Sequence, residues 1–466
     1  MKKRGYVRYA AVVVSLALMA GMGLTGCDSK KKVDYGFEDD TEGNDTGAML
    51  SSKLNVPESY KGELSGISTD TGLSAVRIDA AEISVPDTDR MSVQYCQKNS
   101  IDNEYKKRIC ENFFDMNDGV YIYDWDKPYK GDIEKEIANI QKMADNAADE
   151  ETKAMYEEAL KSMQNDLRNA ADERAGAGDY TADCFVGNKN GALFMASFEE
   201  NGDTASRFEI YMLDDGINYR PKEGALDANC YSSDFSYGMT LPDNTAKITQ
   251  DTAIDQGLEF LASCGITNVV ETDCVGNLWQ YYDQNGENVG NELDGYVITY
   301  KRGIDGVAVY TPDVYGLDAL NSASEDGEGD INYESENEKF TVTIDDQGIL
   351  AVSGTDAVRM TDKKESNVGL LSWDDILKLL PDAVNSFYKE NKTQYSEITF
   401  NDVRLTYYKL KDGDGYKYAP VWAFSECTAE SDGSLNKLIP PTQIIMLDAQ
   451  NGQLIDMRDS LYISDI

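Results

Sequence analysis

The longest helical pattern in the chain covers residues 132–174, where apolar side chains recur every three or four positions. That spacing places its members on one face of a helix. The stripe includes Ile133, Ile137 and Ile140, is interrupted by a polar break at residues 146–150, and then resumes. The pattern predicts a helical hairpin. We favour packing of the hairpin on its own domain over a partner-binding coiled coil.

From residue 180 the apolar spacing changes to every second position, which is typical of half-buried β-strands. Three segments, at residues 184–186, 192–198 and 207–213, alternate or run apolar. Asparagine and glycine residues between them provide hairpin turns. The pattern predicts an antiparallel meander that closes an N-terminal domain near Pro242.

The rest of the chain contains a weak internal repeat, in which a capped helix precedes several strands. In the first unit Thr249 caps a helix that stops at Gly265, and the unit ends in a hairpin at residues 340–352. In the second unit Ser372 caps the helix, and a similar hairpin at residues 444–455 ends the unit. Threonine and serine accept hydrogen bonds from amides of the first helical turn, and glycine ends helices. The repeat predicts two helix-plus-sheet units.

These two units resemble PepSY-type modules and the related extracytoplasmic regulators of kinases that sense the cell wall. The resemblance rests on the order of helix and sheet and on two closing turns, Ile344-Asp-Asp-Gln-Gly348 and Leu447-Asp-Ala-Gln-Asn-Gly452. The strand Tyr418-Ala-Pro-Val-Trp422, ahead of the last hairpin, adds to it. The resemblance implies binding, inhibition or regulation outside the cell, and it supplies no catalytic residue.

Together these patterns predict a multidomain α+β protein made of antiparallel sheets with packed helices. We divide it into an N-terminal domain at residues 71–245, a PepSY-like unit at residues 246–366 and a second at residues 367–466. Residues 27–70 are rich in acidic and small polar side chains, and we expect them to form a disordered tether. Residues 1–26 have the layout of a signal peptide.

The start of the chain carries the most specific motif. Four basic residues precede an apolar run from Ala10 to Ala20, which is too short to cross a bilayer as a stable helix. Leu24-Thr25-Gly26-Cys27 then resembles the lipobox of bacterial lipoproteins. The resemblance implies cleavage before Cys27, recognition of Leu24, Thr25 and Gly26 by the signal peptidase, and diacylation of the cysteine.

The lipobox has a consequence for location. Two acyl chains hold a protein firmly on a membrane, so we expect a lipid anchor on the extracytoplasmic face of the cell membrane. With its acidic tether, the chain also resembles uncharacterised lipoproteins of Gram-positive bacteria, whose function is unknown.

The charge balance narrows the choice of partners. The chain has 43 lysines and arginines against 84 aspartates and glutamates, a net charge of −41. The signal peptide contains four basic residues and no acidic residue, so its loss makes the net charge of the mature protein more negative. Phosphate contacts need clustered lysine and arginine, so the charge argues against nucleic acid as a partner.

Two further features restrict the chemistry. The chain has no histidine, which excludes Ser-His-Asp and Cys-His nucleophiles, His-ligated zinc and His-based proton transfer. We therefore expect no enzyme and name no catalytic residue.

Seven cysteines remain besides Cys27, and none forms a C-x-x-C motif. We favour buried free thiols, with a local bridge between Cys264 and Cys274 as the alternative. The seven are Cys96, Cys110, Cys184, Cys230, Cys264, Cys274 and Cys427.

Two ligand types stay open. The acidic loops at residues 283–287, 326–330 and 412–414 look calcium-like, but each lacks the glycine and glutamate positions of an EF-hand. We expect no metal and no cofactor, with a weak Ca²⁺ site as the alternative. The 29 tyrosines and four tryptophans would suit a sugar-stacking platform, although aromatic residues in strands usually belong to the core.

The leading hypothesis for function is a non-enzymatic lipoprotein that binds or regulates a protein or peptide partner at the cell envelope. The alternative is an extracellular solute-binding or glycan-binding lipoprotein. A carboxylate-dependent glycosidase is the third hypothesis, and it would need two facing acids about 5 to 9 Å apart in a cleft.

Overall fold

The computed structural model describes residues 48–464 apart from 126, 148, 201–205, 214–215, 236–239, 284–285, 313–331, 336–337, 356–357, 392, 430–433, 436–440 and 458–460. Its helices are α1 (Leu50–Lys53), α2 (Asn103–Phe113), α3 (Lys130–Asp145), α4 (Glu150–Asn169), α5 (Gly216–Tyr219), α6 (Gln250–Ser263) and α7 (Trp373–Glu390).

The strands in the first part of the chain are β1 (Tyr60–Glu63), β2 (Ala75–Ala80), β3 (Ile83–Ser84), β4 (Val93–Lys98), β5 (Val120–Ile122), β6 (Cys184–Lys189), β7 (Ala192–Glu199), β8 (Arg207–Met212) and β9 (Asp227–Ser232). Those in the middle are β10 (Val269–Tyr282), β11 (Asn288–Ile304), β12 (Val307–Ala308), β13 (Asn332–Ser335), β14 (Lys339–Asp345), β15 (Gly348–Thr355) and β16 (Val358–Glu365). The last are β17 (Glu397–Phe400), β18 (Asp402–Asp412), β19 (Gly415–Glu426), β20 (Gln443–Asp448), β21 (Leu454–Ile455) and β22 (Leu461–Ser464).

The largest sheet has ten strands in the order β5-β6-β7-β8-β15-β14-β11-β10-β9, with β12 paired to β11, and all its pairs are antiparallel. One face packs on α2 and α6 and forms a core of aromatic and aliphatic side chains. Phe208, Tyr300 and Phe340 lie on this face and are almost fully buried. The residues next to each of these along its strand point to the opposite face of the sheet, because successive side chains of a strand alternate.

The second large sheet has the order β16-β4-β19-β18-β3, extended by β20 and β21. A three-stranded sheet, β1-β2-β17, shares its core with α7. Trp373 begins α7 and lies 5.2 Å from Trp422 of β19, ring centre to ring centre. These two sheets combine residues from both ends of the chain, and β17 pairs in parallel with β2.

The structure confirms the α+β class and the predicted elements. Helices α3 and α4 form the hairpin, and the polar break lies between them. Each predicted helix-plus-sheet unit is a helix followed by a four-stranded meander. The first unit is α6 with β10, β11, β14 and β15, and the second is α7 with β18, β19, β20 and β21. Whether either unit is a PepSY module stays a prediction.

The predicted division into consecutive domains is wrong. Strand β8 of the expected N-terminal domain pairs with β15 of the first unit, so the boundary at residues 245 and 246 cuts through one sheet. Strand β4, also assigned to the N-terminal domain, pairs with β16 and β19 instead. The physical reason is that the edge of a meander leaves unpaired amides and carbonyls, which a strand distant in sequence satisfies as well as a near one.

The predicted tether is also too long. Leu50 and Leu54 are buried in the second core, and the amide of Trp373 donates to the carbonyl of Leu54 at 2.9 Å. Strand β1 pairs with β2. Residues 48–70 are therefore part of the fold, because a few apolar side chains anchor an otherwise polar segment. Residues 1–47, with the signal peptide and the rest of the tether, lie outside the described residues.

Candidate binding site

The residues with the most specific sequence prediction, Leu24, Thr25, Gly26 and Cys27, lie outside the described part of the chain. The lipid anchor therefore stays a prediction. Within the part that the structure describes, no helix is both long and apolar enough to span a membrane.

The tryptophans do not form the sugar-stacking platform considered above. Trp279, Trp373 and Trp422 are buried to 2 % exposure or less and belong to the two cores. Trp125 is 63 % exposed and packs edge-on against Tyr123. Burial of the first three has an ordinary cause, since they lie on strands or helices that face the core.

The acidic loops behave as turns where the structure describes them. The backbone between Asp412 and Gly415 is the tight turn of the β18–β19 hairpin, with Gly413 in the left-handed region at φ 60°. The carboxylate of Asp283 accepts from the amide of Glu287 at 3.0 Å. The loop at residues 326–330 lies outside the described residues. Among the residues described, no group of three or more potential ligands gathers around a metal position.

The seven cysteines are all free in the structure, and no bridge joins Cys264 to Cys274. Cys110 and Cys264 are buried in the first core, on or beside α2 and α6. Burial raises the pKa of the Cys264 thiol to about 12 and raises that of Cys110 further. These thiols have the environment of core residues.

A pocket of about 290 Å³ lies between the helical hairpin and the last strand of the ten-stranded sheet. Met143, near the end of α3, and Tyr156, near the start of α4, form the wall on the hairpin side. The opposite wall is made by β9, the end of β10 and the turn after it. The full lining is Met143, Tyr156, Leu226, Asp227, Asn229, Tyr231, Tyr282, Asp283 and Gly286.

Strand geometry explains why the polar lining residues converge. Asp227, Asn229 and Tyr231 are alternate residues of β9, so they share one face of the strand. Tyr282 lies directly opposite Asp227 on β10 and therefore joins the same face. The result is a surface on which two phenol rings, a carboxylate and an amide lie side by side.

Hydrogen bonds fix several of these groups. The hydroxyl of Tyr282 donates to Oε1 of Gln280 at 2.8 Å, and Nδ2 of Asn229 lies 3.3 Å from Oδ2 of Asp227. Burial, with the neighbouring Tyr282, raises the pKa of Tyr231 to about 12. A tyrosine keeps its proton at neutral pH even without this shift, so the Tyr231 phenol is available as a hydrogen-bond donor.

The other face of the same strands carries a paired ionic network. Arg220 forms an ion pair with Asp294, and Lys222 donates to Glu292 at 2.5 Å. The hydroxyl of Tyr281 donates to Glu292 at 3.0 Å. The bond from Lys222 holds the pKa of Glu292 below its usual range. Because its charges are matched, we assign this network to holding α5 and the following segment on the sheet.

The pocket favours an uncharged ligand that carries hydroxyl groups. Its described lining contains aromatic rings, two carboxylates and one amide but no lysine or arginine. Aromatic faces pack against the C–H faces of a sugar ring, and carboxylate and amide oxygens accept hydrogen bonds from hydroxyls. An anionic ligand would be repelled by Asp227 and Asp283.

The sequence alone does not mark the residues of this pocket. The abundance of tyrosine was a signal, but nothing marked Tyr156, Tyr231 and Tyr282 among the 29. The one local sign was the alternation of polar with small apolar residues in Asp227-Ala-Asn-Cys-Tyr231. Only the approach of the hairpin to β9 brings the three rings together.

Neither the protein-family models nor the curated proteins contain a match for this chain. Among solved structures, the chain is similar to an uncharacterized protein from Eubacterium rectale ATCC 33656, with 11 % sequence identity and a TM-score of 0.34. The match covers 86 % of this chain and 94 % of that protein. A likeness at that TM-score carries no argument about function.

Proposed function

We propose that this chain is a lipid-anchored extracytoplasmic lipoprotein that captures a sugar in the tyrosine-lined pocket. The observation that carries the proposal is the convergence of Tyr156, Tyr231 and Tyr282 with Asp227 and Asn229. At about 290 Å³ the pocket lies at the small end of ligand sites, which typically measure roughly 300–1,000 Å³. Its size suits one or two sugar units.

The membrane position is the second half of the proposal and depends on Cys27. Replacing Cys27 with alanine is expected to release the protein from membranes or to stall its processing. Fractionation of cells, with metabolic labelling by a fatty acid, measures both effects. Unchanged membrane retention of the variant, together with an unlabelled wild type, would contradict the anchor.

Sugar binding is tested by calorimetric titration of the full chain with a panel of monosaccharides and disaccharides. We expect saturable binding of at least one sugar. Tyr231→Ala should weaken it roughly tenfold or more, because it removes a stacking ring and a hydrogen-bond donor. Tyr395→Ala is the matched control, since Tyr395 is a 38 % exposed tyrosine outside the pocket.

The outcomes separate the functional hypotheses. A flat response to every sugar, or equal losses in Tyr231→Ala and Tyr395→Ala, would rule out capture in this pocket. Release of reducing sugar from a glycan, abolished by Asp227→Asn, would favour the glycosidase instead.

A partner-binding role is the second candidate, and it is supported by Trp125. A tryptophan that is 63 % exposed, with Tyr123 packed against it at 4.7 Å between ring centres, is the kind of residue that dominates protein interfaces. Crosslinking of intact envelopes should then recover a partner with the wild type and not with Trp125→Ala. Recovery of the same proteins by both would end this candidate.

A further inference from the structure

The face of the ten-stranded sheet that points away from α2 and α6 carries a cross-strand pair of like charges. Lys301 of β11 lies directly opposite Lys339 of β14. Directly opposite side chains in antiparallel strands have Cβ atoms about 5 Å apart, and like charges at that distance destabilise the pair. The fold nevertheless keeps both lysines half-buried.

A third cation approaches Lys301 from the second sheet. The ammonium of Lys301 donates to Oγ1 of Thr311 at 2.8 Å. The preceding residue, Tyr310, has its ring 5.0 Å below the guanidinium of Arg404, which belongs to β18. Val309 forms a β-bridge with Tyr407 of β18 just before these residues, and Arg404 is close enough to act on the Lys301 charge electrostatically, where the ten-stranded sheet meets the second sheet.

These cations are not equally compensated. Arg404 donates to Asp402 at 2.5 Å, and Lys339 is stabilised electrostatically by Asp273 and Asp234. The charged groups that act most strongly on Lys301 are Lys339 and Arg404. Burial, reinforced by these two cations, lowers the pKa of Lys301 to about 8. Within the described part of the chain, Lys301 thus has hydrogen bonding but no ion pair.

Two hydrogen-bonding groups near Lys301 also have capacity left. Nε of Arg404 is buried and has no acceptor among the described residues. The hydroxyl of Thr311 accepts from Lys301, which leaves its own O–H available as a donor. A buried donor without an acceptor is unfavourable, so an acceptor at this position would be stabilising.

We propose that Lys301, Thr311 and Arg404 bind an oxyanion, a phosphate, sulfate or carboxylate group, at the junction of the two sheets. Lys301 supplies a charge that has no ion-pair partner among the described residues, Thr311 and Nε of Arg404 supply donors, and Lys339 adds positive potential. In a chain with a net charge of −41 this cluster is a local reversal of sign, which attracts an anion only at close range. The site is separate from the tyrosine-lined pocket, so either can fail alone.

The test is calorimetric titration of the full chain with inorganic phosphate, sulfate and acetate, each against sodium chloride of equal ionic strength. We expect one saturable site for at least one of the three. Preference for phosphate or sulfate over acetate would indicate a tetrahedral group, and the reverse a carboxylate; either result supports the site.

Lys301→Met removes the charge and keeps much of the side chain's length. It should weaken anion binding roughly tenfold or more, since a charge-assisted hydrogen bond is lost. Its melting temperature without anion should not fall, because the variant no longer buries an unpaired charge. The anion should raise the melting temperature of the wild type but not of the variant.

Arg207→Gln is the matched control. Arg207 lies in the same row of directly opposite residues across the sheet, after Lys301, Lys339 and Thr355. Unlike Lys301, it has two carboxylates beside it, those of Glu199 and Glu209. This variant should bind the anion as the wild type does. No saturable binding to the wild type, retained binding in Lys301→Met, or equal weakening by Arg207→Gln would each overturn the proposal.

Discussion

At the scale of single residues, one buried tyrosine fixes how closely α6 packs on the ten-stranded sheet. The hydroxyl of Tyr300 lies in the first core, where it donates to the carbonyl of Ile254 in α6 at 2.8 Å. That contact requires the helix to have no side chain at Gly257, because a Cβ there would overlap the tyrosine hydroxyl. A glycine in a helix interior is otherwise unfavourable by roughly 1 kcal/mol relative to alanine.

Gly257→Ala should therefore destabilise the protein although it improves helix propensity. Overpacking in a core typically costs about 1–3 kcal/mol, which exceeds the propensity gain. Urea unfolding measures the difference. In the double variant Gly257→Ala, Tyr300→Phe, part of the loss should be recovered, since the phenol oxygen is gone. A more stable Gly257→Ala single variant would show that α6 and β11 do not approach so closely.

At the scale of elements, the two helix-plus-meander units begin with the same device. The hydroxyl of Thr249 accepts from the amide of Thr252 at the start of α6, and the hydroxyl of Ser372 accepts from the amide of Asp375 at the start of α7, both at 3.3 Å. These caps were predicted from the sequence and are confirmed. The hairpin of α3 and α4 is likewise capped, by Asp149, whose carboxylate accepts from Thr152 at 2.7 Å.

Loss of either cap is expected to cost about 1 kcal/mol of unfolding free energy, for Thr249→Ala and Ser372→Ala separately. Thr249→Ser keeps the hydroxyl and should be close to the wild type. Ser386→Ala is the control within α7, because its hydroxyl bonds to the carbonyl of Asp382 in the helix interior and caps nothing. If Ser386→Ala cost as much as Ser372→Ala, the cap would not be the cause.

At the scale of the whole molecule, one buried ion pair lies where the two sheets join. Arg302 of β11 donates to Glu338 at 2.8 Å, and both side chains are less than 5 % exposed. Arg302 also donates to the carbonyl of Val358, the first residue of β16, whose amide donates to Glu338. The pair thus links β11 of the ten-stranded sheet to the first residue of β16 in the second sheet.

Glu338→Ala should lower the free energy of unfolding by about 3–5 kcal/mol, because it leaves the Arg302 charge buried without its partner. Asp79→Ala is the comparison, since it removes one side of the exposed pair between Lys61 and Asp79 and should cost less than about 1 kcal/mol. Equal effects in chemical unfolding would mean that the Arg302 pair is solvated in solution.

The sequence by itself determined the local features of this protein. Caps, turns and apolar periodicity act within a few residues, so they identified the hairpin, the two helix-plus-meander units and the α+β class. The lack of histidine and the lipobox residues up to Cys27 likewise need no tertiary structure to be read. Their consequence, an anchored protein without histidine chemistry, remains the prediction that depends least on the fold.

Only the tertiary structure decided which elements share a sheet and where side chains converge. Strand β8 pairs with β15, and β2 pairs with β17 about 320 positions later. Both pairings use open strand edges, and no local sequence pattern specifies which distant strand pairs with such an edge. The tyrosine-lined pocket forms where the α3–α4 hairpin approaches β9 and β10, and the cluster at Lys301 forms where the two large sheets meet. Their residues look ordinary one by one, because a site of this kind is specified by distance in space and not by spacing along the chain.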